Sequence, residues 1–177
     1  MNQREMRDLL MKDSEINTMK PKIVLFVGFP GSGKSTLAKW ILNQFNNYKH
    51  IELDSIREAL LSEKEKKERE KPFKIENEKR VYAFALIEAK RTLEHGFSVI
   101  LDDCYETKAK RKPVQTFCQF SNHELLIIEF LDLNKARVRN EKRKRKVPLQ
   151  AFNSLVKRFQ SVSDSEFYTA NYTFFER

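Results

Sequence analysis

At 177 residues and 40% hydrophobic composition, the chain is long enough for one domain with a real core and short for two. No apolar run approaches the ~20 residues that span a bilayer, and the charged start, Met1 to Asp8, has no secretory apolar segment, so no membrane is expected and the expected compartment is the cytosol. Cys104 and Cys118 have no metal-ligand spacing and no disulfide is expected; His50, His95 and His123 are too scattered to suggest a zinc site.

Residues 1–20 read as a polar extension, and a core region of 21–177 follows. The apolar run Ile23 to Val27 predicts a strand over 22–28, and Thr36 to Leu42 predicts a helix over 34–46. A short strand covers Lys49 to Leu53, with Asp54 or Ser55 as cap of the next helix. Residues 63–71 are a nearly balanced charge run, read as a solvated helix face or a mobile segment. A long helix follows Pro72 and ends at Gly96. Phe97 to Leu101 is a strand ending in Asp102-Asp103, and a helix over 107–120 is disturbed by Pro113. A strand over 125–131, a charged helix over 134–145 and a helix opened by Pro148, with Phe152, Leu155, Val156 and Phe159 on one face, complete the pattern. The tail from Ser161 to Arg177 is aromatic without a period, so packing, strand pairing and a free end all stay open. Alternating strands and helices argue an α/β fold, with a parallel sheet of about five strands and helices on both faces.

The most specific chemistry sits at the end of the first strand. Gly28-Phe29-Pro30-Gly31-Ser32-Gly33-Lys34-Ser35 joins a strand to a helix, which is the context a phosphate-binding P-loop requires, and three of the four glycines of the chain lie there. Glycines permit the backbone angles that turn successive N–H groups towards a phosphate, and the following helix adds its dipole. Lys34 would reach the β- and γ-phosphates and Ser35 would offer a hydroxyl to magnesium, so a nucleoside triphosphate with Mg2+ is expected.

In open parallel sheets ligands bind at the carboxyl ends of strands, and two further ends carry candidates. Asp54 could accept the proton of an acceptor hydroxyl, with Arg57, three residues on, gripping an acceptor phosphate; an N-cap with a local ion pair is the plainer alternative. Of Asp102 and Asp103, strand alternation sends only one towards the nucleotide, and Asp103 is the expected magnesium carboxylate. Cys104 reads as a packing residue. Arg139 and Arg143, four apart on one helix face, form a basic lid within about 134–147 that closes over the transferring phosphoryl. Lys142 to Lys146 adds five consecutive positive charges, and Lys108, Lys110, Arg111 and Lys112 form a smaller cluster; these fit a nucleic-acid partner or a solubility or localisation device equally.

Together these motifs resemble the kinase domain of the bacteriophage-type polynucleotide 5′-hydroxyl kinases, from about Lys22 to Gln160. The shared features are the G-x-P-G-S-G-K-S-T loop at Gly28 to Thr36, the Asp-x-x-Arg at Asp54 and Arg57, the aspartate-terminated strand leading to a basic helix at Asp103 and Arg111, and Arg-Asn-x-Lys-Arg with Val-Pro at Arg139 to Arg143 and Val147-Pro148. The resemblance implies ATP as donor, bound by Gly28, Pro30, Gly31, Ser32, Gly33, Lys34, Ser35, Thr36, Arg139 and Arg143. It also implies Asp54 as general base, Arg57 on acceptor phosphate and Arg143 on the ATP phosphates. Asp-x-Ile-Arg-Glu at Asp54 to Glu58 and the Asp102-Asp103 strand end are also similar to the kinase of seryl-tRNA on the route to selenocysteine. Both families usually continue Thr-Asn after the aspartate, where this chain has Cys104-Tyr105. The expected activity is ATP-dependent phosphoryl transfer, catalysed through Lys34, Asp54, Arg57 and Arg143, to the 5′-hydroxyl of RNA or DNA. Seryl-tRNA or a small hydroxyl metabolite is the alternative acceptor, and a nucleotide-dependent RNA-binding ATPase switch is an alternative of another class.

Overall fold

The computed structural model of the chain describes residues 20–63, 65, 75–163, 166 and 172–176. The expected extension up to residue 19 and most of the balanced run at 63–71 lie outside the described residues. The described elements run β1 (Lys22–Gly28), α1 (Lys34–Gln44), β2 (Tyr48–Glu52), α2 (Leu53–Leu60), α3 (Ile75–Glu94), β3 (Ser98–Asp102), α4 (Lys108–Ser121), β4 (Glu124–Phe130), α5 (Leu133–Lys142), α6 (Leu149–Arg158) and β5 (Tyr172–Glu176).

All five described strands are parallel, in the order β2-β3-β1-β4-β5. The central strands must be apolar on both faces because helices cover both, and every residue of Lys-Ile-Val-Leu-Phe-Val-Gly in β1 is buried. The pleat then sorts side chains by parity. Ile23, Leu25, Val27, Val99, Leu101, Leu125 and Ile127 meet Val81, Ala85 and Ala89 of α3 and Val114 and Cys118 of α4. Val24, Phe26, Ile100, Leu126 and Ile128 meet Leu37, Ala38 and Ile41 of α1. The register Phe26↔Asp102 and Leu25↔Leu101 fixes which face each end of β3 addresses.

Several boundaries differ from the sequence expectation for local reasons. α2 begins at Leu53 directly from β2, with Glu52 at the N-cap and no side-chain cap bond, so neither Asp54 nor Ser55 caps it; Ser55 Oγ instead donates to Glu52 Oε2 at 2.9 Å. α3 closes as expected at Gly96, where φ is +82° and the pair of bonds Gly96 N–H to Leu93 O and Phe97 N–H to Thr92 O ends the helix. α4 runs unbroken through Pro113. α5 stops at Lys142 rather than 145, because Asn140 turns back: its amide donates to Val147 O (2.9 Å) and its carbonyl accepts from Val147 N–H (3.1 Å). The aromatic tail resolves as β5, paired parallel to β4 with Leu125↔Tyr172 and Glu129↔Glu176.

The segment leading to β5 is fastened by one arginine. Arg111 of α4 is fully buried. It donates to both carboxylate oxygens of Glu166 at 2.7 Å and to the carbonyls of Tyr105 (2.9 Å), Gln160 (2.8 Å) and Ser161 (3.4 Å). All five N–H groups of the guanidinium are thereby directed at acceptors, so the basic cluster that the sequence presents at 108–112 is in part interior. Removing one partner of such a pair strands the other: Arg111→Met is expected to cost about 3–5 kcal/mol, read from urea midpoints. Replacing both partners, Arg111→Met with Glu166→Leu, is expected to regain most of that loss.

Candidate active site

The loop Gly28 to Lys34 leaves β1 at the carboxyl edge of the sheet and enters α1. Gly31, at φ +82°, packs directly under α5: a Cβ there would stand 2.5 Å from Ala136 O and 2.9 Å from Asn140 N. Phe29, between the glycines, is buried against Phe159 and Phe152, with ring centroids 4.5 and 6.1 Å apart. The loop is therefore held from outside by α5 and by α6 with the residue that ends it. Sequence reading missed Phe29; the aromatic face of α6 was visible there, its target was not.

Inside the loop, Lys34 is buried and its ammonium donates to Gly28 O (2.9 Å) and Phe29 O (2.8 Å). Ser32 Oγ is buried without a hydrogen-bond partner among the described residues. A buried hydroxyl with no partner beside a lysine engaged only by loop carbonyls fits a site that receives phosphate oxygens.

The two aspartates ending β3 divide as the pleat requires, and the assignment is the reverse of the sequence expectation. Asp102 lies on the α1 face with Phe26 and Ile100. Ser35 Oγ donates to its Oδ2 at 2.8 Å, and His50 Nε2 lies 3.2 Å from the same oxygen. Asp103, expected to stand by magnesium, turns to the α3 face. There it accepts from Arg57 Nη1 (3.2 Å) and Nη2 (2.9 Å) and from the Tyr82 hydroxyl (2.6 Å). Burial alone would raise the Asp103 carboxyl; the Arg57 charge and hydrogen bonds, then the Lys110 charge and the Tyr82 hydroxyl, outweigh it and hold the group well below the usual carboxylate range. Burial raises the Tyr82 phenol, and the Asp103 charge adds to it. Burial also pushes the Cys104 thiol up to about 12, which suits a packing residue and not a thiolate nucleophile.

Arg57 is 4% exposed. Its Nε and Nη2 donate to Glu78 (2.9 and 2.8 Å), its Nη1 to Asp54 Oδ1 (3.0 Å), and Nη1 and Nη2 also to Asp103. Five donors meet five acceptor contacts, so the expected grip on an acceptor phosphate would have to exchange one of them. What Arg57 does is hold Asp54, whose side chain is 46% exposed and opens into the cleft. Burial opposes the Arg57 charge, but Asp103 and Glu78 more than offset it, keeping the guanidinium charged.

The cleft these groups share has a volume of about 1600 Å³. The loop from Pro30 to Thr36, Asp54, Asp102, Arg139 and Arg143 all line it. Arg139, in the last turn of α5, has Nη1 3.5 Å from where a Gly33 Cβ would be. Arg143 lies beyond the helix end, with ψ 144°, so the two arginines share the cleft but not one helix face as expected. The described residues contain no cluster of three or more His, Cys, Asp or Glu that would hold a metal by themselves, and no described helix is long and apolar enough to cross a membrane.

Arg57→Met leaves Asp103 and Glu78 without their cation and is expected to cost about 3–5 kcal/mol near pH 7. The native Asp103 carboxyl titrates below its ordinary 3.8, so its stabilisation is complete above that value and goes as the pH falls below it. In the variant, burial raises the carboxyl against only the Lys110 charge and the Tyr82 hydroxyl, and its protonation relieves the fold. Denaturant midpoints from about pH 7 to about pH 4 are therefore expected to converge between variant and native chain. Gly31→Ala, strained in φ and driven against α5, is expected to lose about 1–3 kcal/mol in the same assay.

Solved structures share this architecture. An unliganded sugar kinase from Janibacter sp. has 14% identity and a TM-score of 0.66, over 88% of this chain and 85% of that one. Kti12 of Chaetomium thermophilum, in complex with ADP-AlF3, has 19% identity and a TM-score of 0.66, over 87% and 88%. A chain of the Pnkp1/Rnl/Hen1 RNA repair complex has 19% identity and a TM-score of 0.64, over 82% of this chain but 46% of its own length. At these identities the likeness establishes the fold, an α/β P-loop kinase-like architecture. No curated protein matches the chain. The AAA domain family matches residues 23–162, from β1 to the segment after α6, and the chain belongs to that family.

Proposed function

We propose that the chain is an ATP-dependent phosphotransferase that moves the γ-phosphoryl group to a hydroxyl acceptor, with the 5′-hydroxyl of RNA or DNA as the acceptor. The observation that carries this reading is Asp54. A carboxylate used only as a cap or ion-pair partner has no need of the cleft, whereas Asp54 accepts from a buried arginine and lines the same cleft as the phosphate loop. An ATPase switch needs no such group.

In the proposed reaction, Lys34 exchanges the Gly28 and Phe29 carbonyls for phosphate oxygens, and Ser32 and the loop N–H groups, from Gly28 through Thr36, receive the rest. Magnesium, held by Ser35 with Asp102 beside it, supplies neutralisation of the phosphate charge when bound. Asp54 accepts the proton of the acceptor hydroxyl as that oxygen forms its bond to the γ-phosphorus. The bond from phosphorus to the β–γ bridging oxygen breaks, and ADP leaves with the electron pair. Arg139 and Arg143 face the charge that spreads over the transferring oxygens. A nucleic-acid acceptor is supported by the basic run 142–146, of which Arg143, Arg145 and Lys146 line the cleft, so that its charge borders the reacting groups.

Incubation with γ-labelled ATP and 5′-hydroxyl oligonucleotides is expected to put label on the oligonucleotide. Asp54→Asn is expected to lower kcat roughly 10²- to 10⁴-fold without changing ATP affinity. Label on small alcohols or seryl-tRNA but never on oligonucleotide ends moves the acceptor assignment. Hydrolysis alone, unaffected by Asp54→Asn, replaces the kinase with the switch.

A further inference from the structure

Asp102 is held by two side chains, and the reaction outlined above uses only one of them. β2 runs parallel to β3, with His50 opposite Ile100 and Glu52 opposite Asp102. His50 therefore lies on the same face of the sheet as Ile100 and Asp102, the face covered by α1. From this diagonal position on the edge strand its Nε2 stands 3.2 Å from Asp102 Oδ2, the oxygen that also accepts from Ser35 Oγ at 2.8 Å. The Asp102 side chain is 5% exposed and that of His50 18%. A carboxylate oxygen accepts, so Nε2 is the donor of this bond, and the neutral ring suffices for it. Both bonds thus fall on one oxygen. Oδ1 accepts none among the described residues, and Asp102 lines the cleft with Ser35, whereas His50 does not.

That asymmetry matters for a cation. Ser35 gives its hydrogen to Asp102, which leaves the lone pairs of its hydroxyl oxygen for a metal. The hydroxyl keeps that orientation only while Asp102 stays in place, since a carboxylate that swung away would carry the serine hydrogen with it. Nothing in the sheet itself calls for an imidazole at this position: an edge-strand residue facing a helix is served by a β-branched or aromatic side chain. The carboxylate that the ring touches does call for a donor. We propose that His50 is a positioning residue of the magnesium site: its Nε2–H and the Ser35 hydroxyl together pin Oδ2 of Asp102, so that Ser35 Oγ and Asp102 Oδ1 keep their places for the cation. This rests on the magnesium reading above and adds to it a residue of β2 that acts through Asp102 alone. Partners of this kind, one bond removed from a metal, orient the groups that meet it.

The test is the gain in ADP affinity that Mg2+ confers, measured by calorimetry in Mg2+ and in EDTA. It compares the native chain with His50→Phe and His50→Val, which differ in shape and both lack the donor, and with His50→Gln, which restores one. The native chain is expected to bind ADP more tightly with Mg2+. The two donor-free variants are expected to keep the affinity measured in EDTA and to lose about tenfold or more of the gain, the usual effect of removing a partner of a metal ligand. His50→Gln is expected to recover most of it. Denaturant midpoints show which variants fold; a purely structural histidine would lower the midpoint and leave the gain alone. A full gain in a folded donor-free variant overturns the positioning role, as does a folded His50→Gln that behaves like His50→Phe; the magnesium reading stands in both cases. Should neither donor-free variant fold, the histidine is structural and the proposal falls. A native chain whose ADP binding is absent, or indifferent to Mg2+, overturns the reading of the site itself, and the role of His50 with it.

Discussion

A strand must send consecutive side chains to opposite faces, and the site depends on that constraint at the end of β3. Asp102 and Asp103 leave the sheet one residue apart and are separated by its full thickness. One meets the serine that opens α1; the other meets the arginine of α2 and the tyrosine of α3. A single dipeptide thereby addresses both α1 on one face of the sheet and α2 with α3 on the other. A one-residue slip of β3 against β1 would exchange these assignments, and the apolar pairs Ile23↔Val99 and Leu25↔Leu101 forbid it by burying one set of side chains on each face.

Counting donors separates the arginines by role where net charge cannot. Arg57 and Arg111 are each surrounded by acceptors and work inside the fold, the first presenting Asp54, the second tying the chain ahead of β5 to α4. Arg139, Arg143 and Arg158 face the cleft. The excess of +9 is therefore a poor measure of what reaches a ligand, since part of it neutralises buried carboxylates. Buried pairs of this kind fix geometry more than they add stability, because desolvation of the ions offsets much of their attraction.

The sheet was legible because parallel strands buried on both faces leave continuous apolar runs, and Ile23 to Val27 and Leu125 to Ile128 are such runs. The phosphate loop was legible because its glycines are dictated by backbone angles. The choice between Asp102 and Asp103 was not, although alternation was recognised. It required knowing that Ile100 packs against α1 and Leu101 against α3, which is a tertiary fact. The partners of Arg57 were not legible for a related reason. Its spacing to Asp54 is local and visible, but Glu78, which takes two of its donors, arrives from a helix 21 residues away. The early end of α5 likewise turns on the Asn140–Val147 clasp, a side chain answering backbone seven residues on, and no helical period announces it. β5 escaped because a strand recruited to the edge by pairing with β4 need carry no pattern of its own.

The same clasp explains why the basic run can serve the cleft. Had α5 continued to residue 145, successive charges would have pointed around the helix, most of them away from the phosphate loop. By ending the helix at Lys142 and returning the chain to Val147, Asn140 brings Arg143, Arg145 and Lys146 to the rim in the bends that follow the helix. The clasp also links the two walls that hold the loop: α5 under Gly31, and α6, which starts at Leu149, with Phe152 against Phe29. A shift of the rim would therefore be passed towards the phosphate loop through the bonds of the Asn140 side-chain amide at 2.9 and 3.1 Å.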